Sequence, residues 1–89
     1  MADYPTEEEL DKIEKWNLAD AKGLLDFVHE LWQYADVGFW KERGKTYRIA
    51  TAGWSGNEDI IRALRNNHVF WIMCWHLSAR GGLYVFKLP

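Results

Sequence analysis

The hydrophobic residues in the first part of the chain recur every three or four positions, which is the period of an amphipathic helix. Thr6 followed by Glu9 is the capping-box pattern that begins many helices, so we predict a first helix over about 6–16. Asn17 is a candidate cap for a second apolar series at the same period, which predicts a second helix over about 18–34. We therefore expect the first part of the chain to be helical.

After these helices the hydrophobic period changes to two, which is the period of a half-buried strand. Residues 39–43 and 46–51 are predicted to form two short strands joined by a tight turn at Gly44. In the second strand Tyr47 and Ile49 lie on one face of the predicted sheet, and the residues between and beside them lie on the other. We therefore expect one face of this strand to be buried.

A second capping-box pattern follows the predicted hairpin. Ser55 with Glu58 predicts the start of a third helix, whose apolar side is supplied by residues 60–64. The pair Asn66 and Asn67 suits the end of that helix, because asparagine adopts the left-handed conformation more readily than most residues.

The segment 69–77 is apolar on both of its faces. Such a run is typical of a central strand covered on both sides, and a buried helix is the alternative that the period leaves open. The turn Arg80-Gly81-Gly82 predicts a second hairpin, with a last strand over about 83–88. The predicted order is α-α-β-β-α-β-β, an α+β fold in which helices pack on an antiparallel sheet of about four strands.

The length of 89 residues allows a single domain over 1–89, because two hydrophobic cores would each be too small. Charge is divided unevenly along this domain. Residues 1–36, the acidic helical half, carry ten acids and three bases, a net charge of −7. Residues 37–89, the basic half with the two hairpins, carry eight bases and three acids, a net charge of +5. The total of −2 therefore hides two opposed halves.

Cations alternate with aromatic residues on the first predicted hairpin, as they do on many nucleic-acid surfaces. These residues are Lys41, Arg43, Lys45 and Arg48, interleaved with Trp40 and Tyr47. The isoelectric point of about 5.9 lacks the basic character of a dedicated nucleic-acid binder. We therefore favour the simpler interpretation that the acidic helices lie near the basic sheet and pair with it.

The segment 53–58 joins a predicted strand to a predicted helix, as the nucleophile elbow of many hydrolases does. Asn57 stands where that motif needs its last glycine, and the chain is too short for the hydrolase fold. No nucleophile, base and orienting partner can be named together. We therefore expect no catalytic residues and no enzyme activity.

The same segment is a glycine-flanked helix start, and free N–H groups at a helix start attract anions. The candidate ligand-binding residues are Trp54, Ser55, Asn57, Arg62, Arg65 and Arg80. Trp54 offers a stacking face and the arginines offer charge, provided that all of them converge on one open pocket. Ordinary helix capping is the interpretation that we favour, because Glu58 and Asp59 already place negative charge in the first turn.

Cys74 is the single cysteine, so it forms no internal disulfide, and we expect it to be a small buried hydrophobe. Cys74 and His76 would share one face of the predicted strand. A zinc site would need further ligands, for which only His29 and His68 remain, and the spacing does not bring them together. We therefore expect neither a metal nor a cofactor.

Six tryptophans are hard to bury together in a domain this small. Tryptophan is a favoured anchor of protein interfaces, so we expect at least one of them to contact a protein partner or a second copy of the chain. An exposed apolar patch that includes aromatic residues would support this expectation.

No uncharged run approaches the roughly 18–20 residues that cross a bilayer. Residues 1–9 are acidic and contain no apolar stretch, which is not typical of a secretory signal. We therefore expect a cytoplasmic protein that does not bind membranes.

A resemblance to known proteins is carried by about the last 40 residues. Its segments are Gly53–Glu58, Ile60 and Ile61 with Leu64, Phe70 and Trp71, Trp75, and Ser78–Phe86. They resemble small uncharacterised proteins encoded by phages and prophages. The resemblance implies a genomic setting and the cytoplasm of a host cell, and it transfers no catalytic residues.

Two classes of function therefore compete. The first, which we prefer, is a small non-enzymatic accessory protein of a phage or prophage that binds a host or phage protein. The second is a nucleotide or nucleic-acid binding module that uses the loop 53–58 and the nearby arginines. Pairing of Arg62 and Arg65 with acids of the first two helices would eliminate the second class.

Overall fold

The computed structural model describes residues 4–89, and its first helices begin at the predicted caps. α1 spans Glu7–Glu14; the Thr6 hydroxyl accepts a hydrogen bond from the Glu9 N–H at 3.1 Å, and the Glu9 carboxylate accepts one from the Thr6 N–H at 2.8 Å. A 3-10 turn over Leu18–Asp20 leads into α2 at Ala21–Leu31. Met1–Asp3, the beginning of the acidic start, lie outside the described residues.

The second helix ends at Leu31 rather than near residue 34, because the backbone becomes extended at Trp32. The Trp32 indole N–H donates a hydrogen bond to the Ala50 carbonyl at 3.1 Å, which ties the end of the helix to the sheet. A short helix that the pattern does not predict, α3, follows over Ala35–Gly38.

The sheet is antiparallel and contains four strands: β1 (Phe39–Lys41), β2 (Thr46–Ala50), β3 (Trp75–Ala79) and β4 (Leu83–Lys87). Their spatial order is β1-β2-β4-β3, so β1 and β3 are the edges. The predicted alternation in β2 is confirmed, because Tyr47 and Ile49 are buried while Arg48 between them is exposed.

Both predicted hairpins form. β1 pairs with β2, and β3 pairs with β4. Gly81 and Gly82 in the second turn have φ values of +83° and +77°, a conformation that residues with a Cβ rarely adopt. The Arg-Gly-Gly signal therefore predicts this turn for the right physical reason.

The prediction of a central strand over 69–77 is wrong. Residues His68–Cys74 form a helix, α5, directly after α4 at Ser55–Asn66. The remaining residues belong to β3, which is an edge strand. The helix starts because the Asn67 side chain accepts a hydrogen bond from the Phe70 N–H at 3.3 Å. The buried-helix alternative describes α5 only in part, since a single face of it is buried.

The order of the elements is α-α-α-β-β-α-α-β-β, which confirms the predicted α+β class and adds two short helices to it. The core contains apolar side chains from helices and strands of both halves of the chain. Its fully buried members are Ile13, Leu24, Leu25, Val28, Ile49, Ile60, Leu64, Phe70 and Phe86. This core covers the inner face of α5 and leaves the outer face of that helix uncovered.

Candidate functional site

The outer face of α5 and the strand β3 expose a set of large apolar side chains to solvent. Its large side chains are Val69, Ile72, Met73, Trp75 and Leu77, which are 57%, 77%, 56%, 44% and 46% exposed. We refer to these five residues as the α5–β3 surface. Exposed apolar patches of this kind often mark interaction sites.

The hydrophobic spacing within α5 explains why it has two apolar faces. Phe70 and Cys74 are four positions apart and point into the core, where both are almost completely buried. Val69, Ile72 and Met73 follow the same helical spacing on the opposite side and remain exposed. An apolar stripe therefore continues along the solvent side of this helix.

Trp71 lies half-buried beneath one side of the α5–β3 surface and connects it to the sheet. Its ring stacks on that of Trp75, with centroids 6.1 Å apart and an angle of 13° between the planes. It also meets the edge of the Phe86 ring at 5.5 Å, and the Arg65 guanidinium lies 4.9 Å from its centroid. The surface therefore rests on a packed aromatic layer rather than on a loose loop.

No aspartate, glutamate, lysine or arginine occurs between residues 66 and 79. All five residues of β3 are exposed, and no strand lies on the outer side of β3 within residues 4–89. Edge strands usually carry charged residues that discourage pairing with other chains. This edge therefore lacks the charges that usually protect an exposed strand.

The exposed apolar area of the α5–β3 surface is comparable to the largest apolar patch of an ordinary small protein. At roughly 150–250 Å² for a large side chain, the exposed fractions amount to roughly 400–700 Å² of apolar area. The largest apolar patch of an ordinary monomer covers about 300–600 Å² and is often functional. The summed area is therefore comparable to that range, with Leu77 on the other face of the sheet from Trp75, because Leu77 pairs with Val85 and Trp75 pairs with Phe86.

The candidate residues at the start of α4 contact the beginning of the described chain. Trp54 is half-buried and stacks on Tyr4, with ring centroids 4.8 Å apart. The Ser55 hydroxyl donates a hydrogen bond to the Tyr4 hydroxyl at 3.0 Å. The predicted capping box of Ser55 and Glu58 is wrong, because Trp54 is the N-cap and no side chain caps the helix there.

Asn57, another candidate, is fully buried and all of its polar groups are occupied. Its side-chain amide donates to the carbonyls of Gln33 and Thr51 at 3.0 and 3.3 Å. Its side-chain oxygen accepts a hydrogen bond from the Gln33 N–H at 2.9 Å. Asn57 therefore joins the end of α2 to the loop between β2 and α4.

Two of the candidate arginines share a cleft of about 190 Å³. Arg62 and Arg65 line it together with Tyr84 from β4. Trp54, Ser55, Asn57 and Arg80 are not among its lining residues, and the only residue of the loop 53–58 that reaches it is Glu58. The structure therefore brings two of the six candidates together, and it adds a carboxylate beside them.

Neither arginine pairs with an acid of α1 or α2 within residues 4–89. Arg62 forms an ion pair with Asp59 of its own helix at 3.2 Å, and Arg65 lies over Trp71. The condition that would eliminate a nucleotide-binding module is therefore not met.

The basic hairpin differs from the expected nucleic-acid surface. Tyr47 is buried in the core, so its ring is not available for stacking, and burial raises the pKa of its hydroxyl. Arg48 forms an ion pair with Glu42 of the same hairpin at 3.2 Å. Trp40 remains exposed. The alternation in the sequence therefore does not become one continuous stacking face.

The internal pairing that we favoured for the two charged halves is also not made by ion pairs. Within the part of the chain that the structure describes, each ion pair joins residues of the same half. The four pairs are Lys15–Asp11, Lys22–Asp26, Arg48–Glu42 and Arg62–Asp59. One polar side-chain contact that crosses between the halves is the hydrogen bond from Asn66 to Glu14 at 3.2 Å. The opposite charges of the two halves therefore form no ion pairs with each other among the described residues.

Cys74 is the buried small hydrophobe that the sequence predicts, and burial raises the pKa of its thiol. It does not share a strand face with His76, because Cys74 ends α5 and His76 is exposed in β3. Among residues 4–89, no group of three histidine, cysteine, aspartate or glutamate side chains is placed to hold a metal ion. No helix in this range is long and apolar enough to cross a membrane.

Sequence reasoning missed the outward face of α5, although signals for it are present. Asn67 suits a helix N-cap as well as it suits a helix end. Val69, Ile72 and Met73 have helical spacing, and so do Phe70 and Cys74. A helix with two apolar stripes gives the same uninterrupted run of apolar residues in the sequence as a strand that is apolar on both faces.

Comparison with known proteins gives no match: neither a family model, nor a curated protein, nor a solved structure is significantly similar to this chain. The α5–β3 surface and the clefts therefore have to be interpreted from their own chemistry.

Proposed function

We propose that this protein works without catalysis, by binding another protein through the α5–β3 surface. The observation that carries the proposal is the presence of five large exposed apolar side chains on a segment with no Asp, Glu, Lys or Arg between residues 66 and 79. Buried apolar area is the main source of affinity at protein interfaces, and aromatic side chains are frequent anchors there.

The chemistry of the α5–β3 surface defines the partner. A charged group placed against it would lose its hydration without gaining an opposite charge. The partner therefore presents an apolar, uncharged contact area, with Trp75 of this protein as the aromatic anchor.

The exposed apolar area of these residues suits a reversible complex rather than a permanent pair of identical chains. Two copies joined through these residues would bury roughly 800–1,400 Å², less than the about 2,000–5,000 Å² that permanent homodimers bury. The resemblance to phage and prophage proteins supports a host or phage protein as the partner, and an accessory role in the host cytoplasm.

The test compares a charged variant of the surface with a matched charged variant elsewhere. Ile72→Lys combined with Met73→Lys places cations on the surface at two exposed positions. Val37→Lys is the control, because Val37 is 64% exposed on α3, beside the opposite edge of the sheet. Circular dichroism and thermal unfolding establish that all three proteins are folded.

Each tagged protein is used to capture partners from host lysate, and each captured protein is then purified and its Kd measured. We expect a partner that the unmodified protein and Val37→Lys bind equally, and that the double variant binds at least about tenfold more weakly. Equal binding by all three would contradict the proposal. A stable dimer in sedimentation that the double variant dissociates would also contradict it, because the surface would then be occupied by a second copy.

A second candidate function, nucleotide or nucleic-acid binding, is supported by the shared cleft of Arg62 and Arg65 beside Tyr84. It is the weaker candidate, because Glu58 lines the same cleft and Trp54 stacks on Tyr4 instead of facing it. Tryptophan fluorescence is titrated with mononucleotides and short oligonucleotides at low and physiological salt. A saturable response at physiological salt that Arg65→Gln abolishes would place this function first.

A further inference from the structure

A separate cleft of about 370 Å³ opens between the 3-10 turn, the start of α2 and the β1–β2 hairpin. This volume lies within the roughly 300–1,000 Å³ typical of sites for small molecules. The cleft lies on neither the α5–β3 surface nor the arginine cleft, and it shares no lining residue with either. It is therefore a distinct site.

The lining of this cleft combines apolar contacts with positive charge. Leu18, Ala21 and Leu88 supply apolar side chains, and Lys22, Lys41 and Lys45 supply cations. No aspartate or glutamate is among its lining residues. Side chains from distant parts of the sequence thus bring three like charges to one concavity.

The lysines differ in how strongly their charge is already compensated. Lys22 forms an ion pair with Asp26 at 2.9 Å, so part of its charge is neutralised. Lys45 donates a hydrogen bond to a backbone oxygen of Pro89, the last residue of the given sequence, at 2.8 Å. Lys41 has no ion pair within residues 4–89. The cleft therefore keeps a net positive charge.

Tyr47 adds a polar group to the wall of the cleft. Its side chain is buried apart from what it contributes to this lining. Burial raises the pKa of the phenol, and the nearby Asp26 raises it further. The hydroxyl therefore keeps its proton at neutral pH, and it can donate a hydrogen bond to an anion.

We propose that this cleft binds a small organic anion, with the lysines holding its carboxylate or phosphate group and the apolar side chains holding its body. Lysine suits this task because its ammonium is a compact charge on a flexible stem, which adapts to anions of different geometry. The apolar contacts distinguish such a ligand from a free inorganic ion, which would leave them unused.

The test uses phenyl phosphate as the probe, because it joins an anionic group to an apolar ring. Inorganic phosphate carries the anion without the ring, and phenol carries the ring without the anion. Amide chemical-shift changes in the folded protein give both the position of binding and the Kd. We expect saturable changes near Lys22, Lys41 and Lys45, with a Kd for phenyl phosphate at least about tenfold lower than for either fragment.

The variant for this test combines Lys41→Gln with Lys45→Gln, which removes two cations at exposed positions without emptying the core. Arg43→Gln on the same hairpin is the control, since it removes a charge that does not line the cleft. We expect the double variant to weaken phenyl phosphate binding about tenfold or more, and the control to weaken it less than about twofold.

Three results would overturn the proposal: no saturable change at millimolar phenyl phosphate, changes centred away from this cleft, or equal affinity for phenyl phosphate and inorganic phosphate. None of these results bears on protein binding through the α5–β3 surface. The Ile72→Lys and Met73→Lys variant leaves the cleft intact, so the two proposals succeed or fail separately.

Discussion

The two edge strands of the sheet, β1 and β3, differ in length, charge and exposure. β1 is three residues long, ends at Lys41 and is followed directly by Glu42 and Arg43, so this edge is short and charged. β3 is five residues long, exposed throughout, and continues the apolar outer face of α5. Charge on an edge strand discourages pairing with other chains, and apolar exposure promotes it. The comparison indicates that one edge is protected and the other is available for binding.

The largest effect that we expect is a difference in the free energy of unfolding between substitutions on the inner and outer faces of α5. Phe70→Ala removes a fully buried ring that packs 5.3 Å from Phe86, and it should lower the free energy of unfolding by about 3–5 kcal/mol. Ile72→Ala on the outer face should change it by less than about 0.5 kcal/mol. Urea unfolding measures both. A large loss for Ile72→Ala would mean that the outer face is already covered in solution.

A somewhat smaller effect is expected from Asn67, the side chain that joins the start of α5 to the end of α1. The Asn67 amide donates to the carbonyls of Ile13 and Trp16, both at 3.0 Å, and its oxygen caps α5. Asn67→Ala should therefore cost about 2–4 kcal/mol, because buried carbonyls lose their donors and the helix loses its cap. Asn66→Ala, at an exposed neighbour, should cost less than about 0.5 kcal/mol. Similar losses in the two variants would contradict the supporting role of Asn67.

High pH should lower the free energy of unfolding through two buried acidic groups. They are the Tyr47 hydroxyl, beside the charged edge, and the Cys74 thiol, beneath the apolar edge. Burial raises both pKa values in the folded protein. Above about pH 9 the unfolded chain therefore releases protons that the folded chain retains, and stability falls as the pH rises through the folded pKa values. Below that range these two groups contribute no pH dependence.

Two variants separate the contributions of Tyr47 and Cys74 to the loss of stability at high pH. Tyr47→Phe should remove the part of the alkaline loss that begins near pH 10, and Cys74→Ala the part that begins near pH 9, both as judged from thermal unfolding across pH. An unchanged alkaline slope in both variants would show that other groups cause it.

The smallest effect should come from the charges of the protected edge. Arg48 and Glu42 pair at 3.2 Å, and their side chains are 49% and 40% exposed, so Arg48→Ala should cost about 0–1 kcal/mol. The difference from the unmodified protein should shrink further in high salt, because salt screens exposed charges. Urea midpoints at two salt concentrations measure this. A larger or salt-independent cost would mean that Arg48 contributes through packing.

Much of the fold follows from local signals in the sequence. The Thr6 and Glu9 capping box, the alternation around Tyr47 and the Gly81-Gly82 turn each predict the observed element. Each signal involves residues within a few positions of one another, where backbone geometry and hydrogen bonding are decided.

The candidate site was less accessible to such reasoning, because its contacts join distant residues. Ser55 bonds to Tyr4 instead of capping its helix, and Asn57 bonds to Gln33. Sequence spacing contains no information about partners that lie 24 to 51 positions away. Candidate ligand residues therefore became structural ones, or were separated, once the chain folded.

The sequence by itself determined the α+β class, the two hairpins and the cap at which the first helix begins, since these depend on short-range sterics and hydrogen bonds. It also determined that the segment 69–77 is apolar all round. Only the tertiary structure decided which face of that segment would be covered. The hydrophobic effect is non-directional and scales with the apolar area removed from water. Which face of the segment is buried therefore depends on the side chains that pack against it in the core. Phe70 and Cys74 pack against those neighbours, and Ile72 and Trp75 remain exposed.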